Sequence, residues 1–98
     1  LRLRFTARAL DQLEAIRTYL AERNPAAARR VMAEIHGAAG RLLRYPFMAR
    51  PGRVLATREW VIRGTPYILV YEVDEVAAEI VVMAVFHGAQ DRNEERGT

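Results

Sequence analysis

The uninterrupted apolar run Ile80-Val81-Val82-Met83-Ala84-Val85-Phe86 constrains this chain more than any other feature. It is far too short to span a bilayer, which takes about 20 residues, and its β-branched content favours a strand. Successive side chains of a strand point to opposite faces, so a strand apolar at every position must be covered on both. Tyr67-Ile68-Leu69-Val70-Tyr71 reads the same way. The spacing therefore predicts adjacent central strands over Tyr67 to Val73 and Glu79 to His87, joined by a loose turn from Asp74 to Ala78. Gly64-Thr65-Pro66 predicts a tight turn into the first of them. A preceding strand is expected over Val54 to Arg63, irregular near Ala56-Thr57.

The front of the chain supplies the cover. Leu1-Arg2-Leu3-Arg4-Phe5 alternates apolar with charged, the pattern of a strand with one wet face. Thr6 is placed to cap a helix from about Ala7 to Arg23, with Leu10, Leu13, Ile16 and Leu20 at helical spacing. Asn24-Pro25 then joins a good N-cap to a good first helical residue, predicting a helical hairpin. In the second helix, roughly Pro25 to Arg44, the stripe Ala28, Val31, Met32, Ile35, Ala39, Leu42 and Leu43 faces the core. Arg29, Arg30, Arg41 and Arg44 surround the small residues Ala33, Gly37 and Gly40 on the other side. Each interior helical glycine costs about 1 kcal/mol relative to alanine. The pair is either a tolerated defect or a surface that another backbone approaches closely. One helical layer covers one sheet face; the second apolar face must meet the chain's own tail and loops or a partner.

Charge narrows the partners. Net charge is +3, all 15 basic residues are arginine, and residues 1–63 carry 13 of them against 5 acids. Guanidinium groups suit bidentate contact with carboxylate or phosphate, so an acidic protein or a nucleic acid fits the front of the chain. With no cysteine, disulfides, thiolate catalysis and cysteine-zinc sites are excluded, and His36 and His87 alone are a poor metal set. No cofactor or metal is expected. The 98 residues are sized for a single domain, 1–98, whose polar end at 93–98 is expected to fray. Lacking a signal-peptide pattern, the chain is expected to be cytoplasmic.

The order strand, helical hairpin, three antiparallel strands is joined by two motifs: R-E-W-V-I-R-G-T-P-Y-I-L-V-Y-E-V at 58–73 and V-F-H-G-A-Q-D-R at 85–92. Together these resemble the RelE/ParE superfamily of bacterial toxins of type II toxin–antitoxin modules. The resemblance implies an α+β fold: an N-terminal strand, a helical hairpin, then a three-stranded antiparallel sheet with the helices packed on one face. It implies one of two activities. RelE-like members are ribosome-dependent mRNA endoribonucleases, whereas ParE-like members are described as inhibitors of DNA gyrase without hydrolytic chemistry.

RNA cleavage through the 2′-hydroxyl needs a base, an acid and cationic stabilisation of phosphate within mutual reach. RelE-like toxins carry alternating basic residues on the second strand, an arginine just after the third strand's aromatic and a C-terminal tyrosine. Here those positions read Trp60-Val61-Ile62 and Ile68, and no tyrosine follows Tyr71. Arg58, Glu59, Arg63, His87 and Arg92 survive. Of these, Arg63, His87 and Arg92 are the catalytic candidates, although Glu59 and His87 are expected near opposite ends of the sheet. The plainer reading of His87 is a strand-end side chain bonded to Asp91 or a nearby carbonyl, with Gly88 supplying a positive φ.

The preferred branch is therefore ParE-like: a gyrase inhibitor that works by binding and is neutralised by a ParD-like antitoxin, with a RelE-like endoribonuclease as the alternative. Arg29, Arg30, Gly37, Arg41, Arg44 and Trp60 are the expected contacts for antitoxin or target. An acidic, apolar antitoxin segment is expected to cover the sheet's second face. No membrane association is expected, nor direct nucleic-acid binding without the antitoxin.

Overall fold

A computed structural model describes residues 1–89. In chain order the elements are β1 (Arg2–Phe5), α1 (Ala7–Arg23), α2 (Pro25–Arg44), β2 (Arg50–Pro51), β3 (Arg58–Val61), β4 (Tyr67–Asp74) and β5 (Glu79–His87). Both helix starts are the capped ones the sequence predicts. Thr6 Oγ1 accepts from the Ala9 N–H at 3.1 Å, and Asn24 Oδ1 accepts from the Ala27 N–H at 3.1 Å. These side chains satisfy donors that a helix N-terminus leaves without partners.

The sheet has five strands rather than three, in the order β1-β5-β4-β3-β2. Strand β1 lies parallel to β5, with Leu3 beside Ile80 and Phe5 beside Val82. The antiparallel core β3-β4-β5 is as expected, but β2 adds a short outer edge, pairing Arg50 with Glu59 and Pro51 with Arg58. The predicted strand over Val54 to Arg63 shrinks to Arg58–Val61, because Ala56 at φ 72° turns the chain at the irregular position. Between β4 and β5, Val70 pairs with Ala84 and Tyr71 with Val82, leaving Met83 as the extra residue of a bulge. The Met83 carbonyl accepts from Thr6 Oγ1 at 3.1 Å, so the α1 cap also anchors the bulge. Beyond the end of β1, the Val85 N–H donates to Gln12 Oε1 of α1 at 2.8 Å.

Ile35, Leu42, Ile62, Leu69, Tyr71 and Val82 are among the fully buried side chains between helices and sheet. The helix stripes hold with two corrections. Leu10 and Leu43 are exposed, and the small Ala9 and Ala38 take the buried positions. Alanine lets helix and sheet backbones approach more closely than leucine would at those points. On the sheet's second face Ile68, Ala84 and Phe86 are buried, with Val70 packed against them. These residues are therefore not the vacant apolar surface expected to receive an antitoxin.

Candidate functional site

The signature residues Arg58, Glu59 and Tyr71 hold a loop. Arg58 and Tyr71 are register partners, and their side chains leave the same sheet face. Arg58 Nη1 donates to the Phe47 carbonyl at 3.1 Å and to the Ala49 carbonyl at 2.8 Å, while its guanidinium lies 5.0 Å from the Phe47 ring centre. The buried Tyr71 hydroxyl donates to the Pro46 carbonyl at 2.7 Å. Burial raises the Tyr71 pKa against the lowering influence of the Ala49 backbone and the Arg58 charge. Glu59 points the other way and is buried. Its Oε2 accepts from the Arg53 N–H at 3.1 Å, and its Oε1 lies 3.5 Å from Arg50 Nη2. These residues thus fix the segment from Pro46 to Arg53, a role that sequence reasoning missed. The loop signal Pro51-Gly52 directly before Arg-Glu was the available clue.

The acid–base candidates do not converge. Glu59 is level with Val70 and Ala84, whereas His87 is level with Tyr67. Two strand spacings and three residue rises separate their backbones by about 14 Å. Alternation also places Glu59 on the Ile68 and Phe86 face, and His87 on the Tyr67 face under the helices. His87 packs edge-on to Tyr67, with ring centres 5.8 Å apart, and its Nδ1 accepts from the Ala89 N–H at 3.2 Å. The Ala89 N–H is thus one local partner of His87; Asp91, the partner expected from the sequence, lies outside the described residues. Gly88 does not have the expected positive φ. A Cβ there would come within 3.0 Å of Ile68 Cδ1, so close approach explains the glycine instead. Arg63 lies toward the His87 end of the sheet, yet the two line separate depressions. His87 faces α1 residues Ile16, Tyr19 and Leu20, and Arg63 faces α2. Arg92 lies outside the described residues.

A groove of about 560 Å³ between α2 and the outer side of β3 gathers Arg41 and Trp60 from the expected contact set with Arg63, and adds Glu34 and Val61. Helical spacing puts Glu34 and Arg41 two turns apart on one face of α2. Among the described residues no ion pair joins Arg41 or Arg63 to a carboxylate. Val61, 55% exposed, lines the groove beside the half-buried Trp60. A Cβ on Gly37 would lie 3.9 Å from Arg41 Nη1, and one on Gly40 would meet nothing within 4 Å. Packing within the chain therefore requires neither glycine. Of the remaining expected contacts, Arg30 Nη1 reaches the Gly64 carbonyl at 3.4 Å and ties α2 to the β3–β4 turn. Arg29 lines a different depression with Arg17 and Met32, and Arg44 is exposed in the last turn of α2. The groove thus offers two cations, one anion and the apolar side chains of Trp60 and Val61, a surface suited to an acidic, partly apolar chain segment. Among the described residues, no group of three or more His, Asp or Glu side chains is placed to hold a metal. No described helix is long and apolar enough to cross a membrane.

Comparison with known proteins agrees with this architecture. The profile of the ParE toxin of the type II toxin–antitoxin system parDE matches residues 3–92. The "Putative toxin Y4kP" of Sinorhizobium fredii is 39% identical over 89 residues, covering 91% of this chain and 90% of that protein. Among solved structures, a chain of the chromosomal ParDE system from P. aeruginosa superposes with a TM-score of 0.78 at 20% identity, over 89% of this chain and 95% of that one. A chain of the RelBE2 toxin–antitoxin complex from Mycobacterium tuberculosis gives 0.60 at 28% identity, over 88% and 95% respectively. The two-helix, five-stranded α+β fold is that of the RelE/ParE toxins, and the chain belongs to the ParE toxin family of type II toxin–antitoxin systems.

Proposed function

We propose that this toxin acts by binding rather than by hydrolysis, that its target is DNA gyrase, and that a ParD-like antitoxin neutralises it. The observation that carries the reading is the placement of Glu59 and His87 on opposite sheet faces, with Glu59 committed to Arg50 and the Arg53 N–H. A general acid and base so placed cannot share one phosphodiester. Gyrase enters through the family resemblance. The antitoxin enters through the toxin–antitoxin relatives and through the groove of Arg41, Trp60 and Arg63, which suits an acidic segment.

Expression in growing cells tests the reading. A gyrase-directed toxin blocks replication and induces DNA damage while messages stay intact. Messages cut at the ribosomal A site, with cleavage lost on His87→Ala or Arg63→Ala, would establish the RelE-like alternative instead.

A further inference from the structure

Between β2 and β3, residues 52–57 form a hairpin tip that exposes large aliphatic side chains while its backbone is tightly fastened. Val54 is 68% exposed and Leu55 94%. Beneath them the Gly52 N–H donates to the Thr57 carbonyl at 2.7 Å, and the Val54 carbonyl accepts from both the Thr57 N–H at 3.1 Å and Thr57 Oγ1 at 2.6 Å. The Arg53 N–H is held by buried Glu59. A Cβ at position 52 would overlap Thr57 Oγ1, so this closure requires glycine. Ala56 sits at φ 72°, a region that side chains other than those of Gly, Asn and Asp rarely enter. Single exposed aliphatics are ordinary on protein surfaces. The β4–β5 turn has a left-handed alanine as well, Ala78 at φ 56°, but ends on one large exposed aliphatic; the β2–β3 tip sets two side by side on a backbone fastened directly beneath them.

We infer that this tip is the part of the toxin that enters its protein target, with Val54 and Leu55 filling an apolar pocket whose rim is acidic. The acidic rim follows from charge. Arg53 lies within the tip and Arg50 flanks it on β2, both exposed, and residues 50–58 contain no Asp or Glu. The folded target follows from shape. A convex, pre-ordered knob needs a preformed cavity, and its rigidity lowers the entropy lost on docking. An extended segment that folds on binding instead occupies a concave groove, which α2 and β3 supply elsewhere. Aliphatic side chains have no aromatic face on which bases stack, which sets nucleic acid aside.

The inference rests on the binding mode proposed above but not on the identity of gyrase, and the test separates the two. Val54→Asp/Leu55→Asp is compared with wild type and with Val76→Asp, a change at the fully exposed aliphatic of the β4–β5 turn. Each is checked for unchanged thermal unfolding, then scored for growth arrest on induction and for binding to immobilised purified DNA gyrase. The double variant is expected to lose growth arrest and gyrase binding by at least about tenfold, because a buried unpaired carboxylate is strongly disfavoured. Val76→Asp is expected to match wild type. If wild type arrests growth without binding gyrase, the gyrase reading falls, while loss of arrest in the double variant still supports the tip. A folded double variant that arrests growth like wild type overturns the inference. So does one that keeps arresting growth but escapes its antitoxin, since that places the antitoxin on the tip.

Discussion

Arg58 and Tyr71 show how a family signature can be structural. Both spend their polar groups on main-chain carbonyls of the segment from Pro46 to Ala49, and neither projects into the α2–β3 groove. Tyr71→Phe is expected to cost about 1 kcal/mol, the net worth of one hydrogen bond, and Arg58→Ala about 1.5–3 kcal/mol for a charged donor with two acceptors. Denaturant unfolding monitored at Trp60, the single tryptophan, measures both. Gly40 is expected to behave oppositely. A Cβ there meets nothing, so Gly40→Ala should raise the unfolding midpoint by up to about 1 kcal/mol in free energy. Unchanged or lower stability would mean that the glycine serves the isolated fold after all. Part of this scale was legible in the sequence. The local bond at His87 follows from a strand ending beside glycine, but the close approach of Ile68 that would crowd a side chain at Gly88 is a long-range contact that no local pattern announces.

At the scale of elements, legibility followed how local the determinants were. The helical hairpin was readable because Thr6 and Asn24-Pro25 write both starts into a few residues. The last two strands were readable because an all-apolar strand tolerates only a central place in the sheet. The β2–β3 hairpin was not, since Val54-Leu55-Ala56-Thr57 looks like strand by composition and its left-handed residue is an alanine rather than Gly or Asn. Nor was the parallel pairing of β1 with β5, which depends on partner choice across the whole chain. The hairpin's dependence on Gly52 is checkable: Gly52→Ala is expected to destabilise by about 1–3 kcal/mol through overlap with Thr57. A wild-type unfolding midpoint would show that the turn adapts without cost.

For the whole molecule, the dominant fact is an arginine-rich body with two recognisably different surfaces, a concave groove on α2 and β3 and a convex tip on the β2–β3 hairpin. An acidic antitoxin segment in the groove should bind more weakly as salt rises. Arg41→Glu combined with Arg63→Glu should reduce its affinity by about 10–100-fold, from the loss of two attractive charges and the gain of two repulsive ones. Isothermal titration in low and high salt reads both effects, and salt-independent binding would remove the electrostatic role of the groove. The sequence offers its expected contacts as a basic stripe on one helix with Gly37, and Trp60 on a later strand. The fold selected Arg41 from that stripe and set it with Trp60 and Arg63, leaving Arg29 in another depression. Whether toxicity comes from occupying gyrase, as proposed, is tested most directly by a supercoiling assay with purified toxin and gyrase. Binding predicts dose-dependent loss of supercoiling that the antitoxin reverses, whereas intact supercoiling at toxin excess, alongside cleaved mRNA in cells, would contradict it.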